Sequence, residues 1–216
     1  MGKTMSNQKK PGVQGKFPFG KEIIHKGYKL KGWPLKNACL NKYRKILSGI
    51  KNGKIVEVGV YGGASILSVI DICIANNNVI FGIDPWERIS RTNGQIPDKD
   101  FLIECQKQMK SARKNLEKIV TDLKYDKYIK LIQGFSPAKA SLFDNNSLDM
   151  VYIDGEHSYN AVFSDMTAWL PKIKKNGTLW GDDFVWKSVS MAVKKFCKDN
   201  KLKFTSTGRS WFVHVV

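Results

Sequence analysis

The chain has 216 residues, of which 42% are hydrophobic and 25% charged, and 36 Lys and Arg against 19 Asp and Glu give it a net charge of +17. That length suits one well-buried domain. With no apolar run of about 18 residues and a polar, basic start lacking an apolar core, the composition argues against a membrane span and a secretory leader.

The charge is uneven. Residues 1–54 hold 14 Lys and Arg against the single acid Glu22, so +13 of the +17 lies there. Residues 1–36 are expected to form a basic, partly flexible N-terminal extension, and residues 37–216 the folded domain. A basic arm can meet phosphates or simply be solvated. Lysine dominates and aromatics are sparse, which weakens a sequence-specific nucleic-acid reading. Cys39, Cys73, Cys105 and Cys197 form no CxxC pair. They read as buried free thiols of a cytoplasmic, reducing compartment.

In chain order, Met1–Gly20 is expected to be flexible and Ile23–Leu35 irregular, broken by Gly27, Gly32 and Pro34. Leu40, Tyr43, Ile46, Leu47 and Ile50 form one stripe, predicting a helix over 37–50. A strand over 54–58 then runs into Glu57-Val-Gly-Val-Tyr-Gly-Gly-Ala-Ser65, and a helix over 65–75 follows. A second apolar strand over 79–83 ends at Asp84-Pro-Trp86. Residues 88–99 read as a loop, and 100–122 as a long, interrupted helix.

A third strand covers 128–133, followed by a short helix opened by Ser136 and Pro137. A fourth strand over 148–153 leads to a helix over 158–173. A fifth over 178–180 leads to a helix over 186–199. Strands over 203–206 and 211–216 close the chain around Thr207-Gly-Arg209. A turn that short forces the last two to be antiparallel, since a parallel crossover takes about a dozen residues. The expected fold is α/β, a Rossmann-like doubly wound seven-stranded sheet, mostly parallel with a C-terminal antiparallel pair.

Ligands of such sheets bind beyond the carboxyl ends of the strands. Those ends carry Glu57, Gly59, Tyr61 and Gly63; Asp84 and Trp86; Gly134 and Ser136; Asp154 and His157; and Asp182 and Asp183. Acids stand at four of the five ends of a strongly basic chain. Glycines let the backbone turn sharply and lie against a ligand, and a carboxylate beside that turn suits a cationic ligand better than a pyrophosphate. Asp84 follows Gly59 at about the spacing at which an acid meets ribose hydroxyls. If the fourth and fifth strands are neighbours, Asp154, Asp182 and Asp183 converge. A divalent cation relieves their repulsion, and Mg²⁺ favours oxygen donors. His157 is a candidate general base, and Trp86 is placed to line a pocket.

These motifs resemble class I S-adenosylmethionine-dependent methyltransferases. Glu57–Gly63 is similar to their first motif, and Asp84 to the acid ending their second strand. Tyr152-Ile-Asp154-Gly-Glu-His157 and Trp180-Gly-Asp182-Asp183 resemble a narrower branch that contains macrocin-type sugar O-methyltransferases and is similar to metal-dependent catechol-type enzymes. The resemblance implies S-adenosyl-L-methionine held by Glu57, Gly59, Tyr61, Gly63, Ser65, Asp84, Trp86, Gly134, Ser136 and Asp154. It implies Mg²⁺ on Asp154, Asp182 and Asp183, with Asp154 and His157 catalytic. Catechol-type enzymes carry a lysine base where this chain has His157.

The implied reaction is O-methylation of a sugar, small diol or phenol. A nucleic-acid acceptor tracked by the basic arm is the alternative. The dinucleotide G-x-G-x-x-G fingerprint is not met at the first turn, which argues against an NAD-dependent oxidoreductase. The three aspartates argue against a mere scaffold. A homo-oligomer stays open.

Overall fold

The computed structural model describes residues 20–87 and 99–215. Strands β1 (Lys21–His25) and β2 (Tyr28–Gly32) form a hairpin, followed by helix α1 (Asn37–Ser48). Then come β3 (Lys54–Val58), α2 (Ala64–Leu67), α3 (Ile70–Ala75), β4 (Val79–Asp84) and α4 (Lys99–Asp122). The chain continues through β5 (Ile129–Gln133), α5 (Ser136–Lys139), β6 (Leu148–Ile153), α6 (Tyr159–Trp169) and β7 (Ile173–Gly181). It ends with α7 (Lys187–Asp199), β8 (Phe204–Thr207) and β9 (Ser210–His214). Seven strands make one sheet in the order β5-β4-β3-β6-β7-β9-β8. β9 is antiparallel to both β7 and β8, and the other pairings are parallel. This is the expected Rossmann-like architecture.

Period-two alternation sorts the sheet's side chains to two faces. Tyr152 of β6 and Trp180 of β7 join one core layer with Tyr43 and Leu47 of α1, Ile66 of α2 and Leu116 and Ile119 of α4. Val151, Ile153 and Leu179 join the other, with Met166 and Trp169 of α6 and Val193 and Phe196 of α7. An aromatic ladder crosses the first layer: Tyr152 stacks on Trp180 at 4.2 Å, and Trp180 on Phe212 at 5.3 Å. All four cysteines are buried free thiols.

Several elements differ from expectation. Residues 23–35 are not irregular, since they include most of the β1–β2 hairpin. Its two-residue turn puts Lys26 at φ 46° and Gly27 at φ 85°, the two positive angles of a type I′ turn. The hairpin packs on the domain: Leu30 is in the first core layer, and the Tyr28 hydroxyl donates to Asp122 of α4 at 2.9 Å. The helix expected over 65–75 is two helices, because Val69 leaves helical geometry at φ −124°, ψ 3°. α4 runs unbroken for 24 residues. α6 stops at Trp169, where Pro171 forces a 3₁₀ turn. β7 therefore begins at Ile173 and takes a register shift opposite Leu148–Met150. The expected flexibility of residues 1–19 and the loop over 88–98 lie outside the described residues. Among the described residues, no helix is long and apolar enough to cross a membrane.

Candidate active site

The strand order reverses at β3 and β6. β4 and β5 lie to one side of β3, and β7, β9 and β8 to the other side of β6. The crevice at this switch point is where such sheets bind ligands. The chain is tightly drawn together there. Asp154 donates its N–H to Val58 O at 2.8 Å, and Gly59 donates to Ile83 O at 2.9 Å. Gly59 has φ +89°, and a Cβ on it would lie 2.2 Å from the Asp154 carbonyl oxygen. Only glycine fits that position.

The other two glycines of the turn are packed by the chain itself. A Cβ on Gly62 would fall 1.9 Å from Lys31 O of β2, and one on Gly63 would fall 2.5 Å from Leu116 of α4. Their lack of a side chain seats the hairpin and α4 against the turn.

Glu57 is fully buried beneath the loop, not facing outward. Ser65 Oγ donates to its Oε1, and Tyr43 Oη donates to Oε2 at 3.3 Å. Burial pushes the carboxyl up from 4.5 to about 8. The Ser65 and Tyr43 bonds oppose that rise, and Asp154 and Asp84 add to it. A carboxyl raised in the folded state stays protonated there while the unfolded chain ionises. Stability therefore falls as pH rises from about 4.5 to 8. Glu57→Gln is expected to flatten that part of the stability curve, read as Tm against pH beside the parent. An unchanged slope would mean that Glu57 is ionised in the folded protein.

Asp84 ends β4 and is 7% exposed. Its Oδ2 accepts from Tyr61 N–H at 2.8 Å and its Oδ1 from Trp86 N–H at 2.6 Å. Burial pushes this carboxyl up, and the backbone donors pull it back. Trp86 is buried, its indole N–H donates to Tyr61 O at 2.8 Å, and the Arg113 guanidinium lies over its ring at 5.2 Å. Tyr61 and Trp86 thus form one bracket around Asp84, with Trp33 packed on Tyr61 at 5.0 Å between centroids. Tyr61 (φ 48°), Trp86 (φ 45°) and Asp183 (φ 59°) are left-handed. Each costs about 1–2 kcal/mol, and such strain gathers at functional sites.

At the end of β5, Gly134 has φ +143°, and a Cβ there would meet the Lys139 side chain at 2.1 Å. Ser136 Oγ accepts from Trp169 Nε1 at 2.7 Å, so its side chain is engaged with α6.

At the ends of β6 and β7, Asp154, His157 and Asp183 each offer one ligand atom within 4.8 Å of the others. His157 Nε2 is 2.5 Å from Asp183 Oδ2 and 3.8 Å from Asp154 Oδ1. The Tyr152 hydroxyl donates to Asp154 Oδ2 at 3.1 Å. Ser188 Oγ donates to His157 O at 2.6 Å, and the His157 ring lies 5.1 Å from that of Trp186. Asp182 does not join this group. Its Oδ2 is 3.7 Å from Arg209 Nε, and Arg209 Nη2 also contacts Asp183 Oδ1. Burial raises Asp182, and Arg209 opposes it.

Sequence reading missed Arg209, Tyr43 and Tyr152. Arg209 was findable. Because β9 runs antiparallel to β7, the turn before β9 must lie beside the carboxyl end of β7. Tyr43 read only as part of a helix stripe, and Tyr152 only as the start of a motif.

A family model described as "Methyltransferase domain" matches residues 56–184, more than half of the chain. No curated protein sequence matches it. The O-methyltransferase NovP is similar in structure, with a TM-score of 0.59 at 15% identity over 82% of this chain and 79% of that one. CalS11, a TDP-rhamnose 3'-O-methyltransferase, has a TM-score of 0.51 at 15% identity over 81% and 76%. MycE from the mycinamycin biosynthetic pathway, in complex with Mg and SAH, has a TM-score of 0.50 at 17% identity, over 81% of this chain and 48% of that one. Identities that low establish the fold, and the family match goes further: the chain belongs to the methyltransferase domain family and is an S-adenosylmethionine-dependent methyltransferase.

Proposed function

We propose that the protein is an O-methyltransferase that binds S-adenosyl-L-methionine along the ends of β3, β4 and β5 and takes a divalent cation, Mg²⁺, at the ends of β6 and β7. Its acceptor is a hydroxyl of a sugar, small diol or phenol. The observation that carries this reading is the meeting of Asp154, His157 and Asp183 across the switch point from the glycine turn.

On this reading the cofactor contacts Gly59, Tyr61, Gly63, Asp84, Trp86, Gly134, Ser136 and Asp154. Glu57 and Ser65 support the turn from below. Asp84 accepts backbone N–H bonds from Tyr61 and Trp86, with Val60 N–H also bearing on it. A carboxylate has acceptor sites beyond these for a ribose hydroxyl. When bound, the cofactor supplies an electrophilic methyl on a cationic sulfur.

The donor set fits a small hard cation. Asp154 and Asp183 offer carboxylate oxygens, Asp182 stands beside Asp183 as a further oxygen donor, and such an ion keeps positions for water and substrate. Bound there, it would lower the pKa of an acceptor hydroxyl. MycE, of the same fold, holds Mg with SAH.

His157 Nε2 faces Asp183 Oδ2 and Asp154 Oδ1, which hold the imidazole toward the site, so Nδ1 is the nitrogen that takes the acceptor proton. Asp154, aligned by the Tyr152 hydroxyl, stabilises the imidazolium that forms. The exposed face of Trp186 beside His157 gives the acceptor a flat apolar wall. Oxygen, methyl and sulfur held in line account for much of the rate.

Excess EDTA is expected to reduce methyl transfer to a catechol or nucleotide-sugar panel by at least about 100-fold, with recovery on adding Mg²⁺. Full activity in EDTA would remove the metal from this account. The nucleic-acid alternative has one observation in its favour, the +13 charge of residues 1–54. Deletion of residues 1–19 spares the packed hairpin. On the small-molecule reading, turnover stays within about threefold; loss of salt-dependent RNA binding together with activity would favour the alternative.

A further inference from the structure

The β8–β9 turn places a built-in cation on the acids of the site. Thr207 pairs with Ser210, leaving Gly208 and Arg209 as the two turn residues. Gly208 takes φ +61°. Phe184 N–H donates to Arg209 O at 2.7 Å, which ties this turn to the loop that carries Asp182 and Asp183. Ser210, next along, is buried. The backbone therefore fixes where the Arg209 side chain begins, and its guanidinium ends on Asp183 Oδ1 with Nε 3.7 Å from Asp182 Oδ2.

Asp183 is shared between two partners. Oδ1 faces Arg209 and Oδ2 faces His157. Asp154, Asp182 and Asp183 together bring three negative charges to one crevice, and Arg209 offsets one of them permanently, because a guanidinium does not lose its proton in proteins. Lys36, at the start of α1, adds a further positive field at Asp182.

We propose that Arg209 is a tethered counter-cation that a divalent ion has to displace or outweigh on Asp183, so that Arg209 sets the ion affinity of the site. The proposal rests on the metal reading above. Its physical basis is occupancy: a ligand whose site is filled by a competing group binds more weakly by the fraction of time the site is free. It also predicts a site that keeps its shape without an ion, since the three carboxylates are never left facing one another alone.

The test is calorimetric titration of the full chain with MgCl₂, beside Arg209→Gln and Arg209→Lys. Arg209→Gln keeps the backbone bond to Phe184 and loses the charge, and is expected to bind Mg²⁺ at least tenfold more tightly than the parent. Arg209→Lys keeps a cation but not the fork, and is expected to fall between the two. Should Arg209→Gln lose its fold by circular dichroism, the lysine shift alone decides. Measurable but equal or weaker affinity in the variants overturns this proposal and leaves the metal reading standing. No binding by any of the three chains overturns both.

Discussion

Replacing Asp154 by alanine is expected to lower kcat by about 10³-fold or more while S-adenosylmethionine still binds measurably. The expectation follows from the position of this one carboxylate. It stands at the end of β6, takes the Tyr152 hydroxyl on Oδ2 and lies 3.8 Å from His157 Nε2 through Oδ1. Proton transfer by a positioned base contributes about 10²–10⁴ in rate. Removing Asp154 also takes away one of the two carboxylates grouped with His157, so base and ion are impaired together. Asp84, Tyr61 and Trp86 hold one another through bonds that do not involve Asp154. The cofactor's ribose end should therefore keep its contacts. Asp154→Asn retains the shape and the Tyr152 contact, and should lose nearly as much turnover if charge is what matters. Rates within tenfold of the parent in both variants would remove Asp154 from the chemistry.

Gly59→Ala is expected to destabilise the protein by about 2–4 kcal/mol. For a chain of this size that is a fall of about 10 °C in Tm. Two penalties coincide. The added Cβ would stand 2.2 Å from the Asp154 carbonyl oxygen, and φ +89° is strained for any side chain. The obstructing atom is backbone in the middle of the sheet, held by Asp154 N–H to Val58 O, so it cannot swing aside. The same shift moves Asp154 off His157, so lost stability and lost turnover should appear together. A thermal scan beside a cofactor titration reads both. A variant as stable as the parent would mean that β3 and β6 do not approach each other as closely as described.

Much of this was legible from the order of residues. Apolar runs at Ile80–Ile83 and Leu148–Ile153 separated by amphipathic stripes imply a parallel sheet, and position then follows, since Asp84, Asp154 and Asp183 stand where such strands end. The β1–β2 hairpin was not read, because Gly27, Gly32 and Pro34 stand in it or just after it as breakers; its one clear signal was Lys26-Gly27 between His25 and Tyr28. Direction of side chains was legible least. Glu57 shares a face with Ile55, opposite Val56, on a strand buried on both faces, and only coordinates reveal Tyr43 and Ser65 waiting for it. Asp182 and Asp183 are adjacent in sequence and were read alike. The left-handed turn at Asp183 places its carboxylate between His157 and Arg209, whereas Asp182 lies 3.7 Å from Arg209 Nε.

The site depends on the cation-binding character of the strand ends, and calorimetric titration with S-adenosyl-L-methionine and with NAD, each with and without Mg²⁺, tests that most directly. The account predicts saturable, one-to-one binding of S-adenosyl-L-methionine, at least tenfold weaker in Asp84→Ala, and no binding of NAD. Binding of NAD in its place, or an affinity for S-adenosyl-L-methionine that Asp84→Ala leaves unchanged, would contradict it.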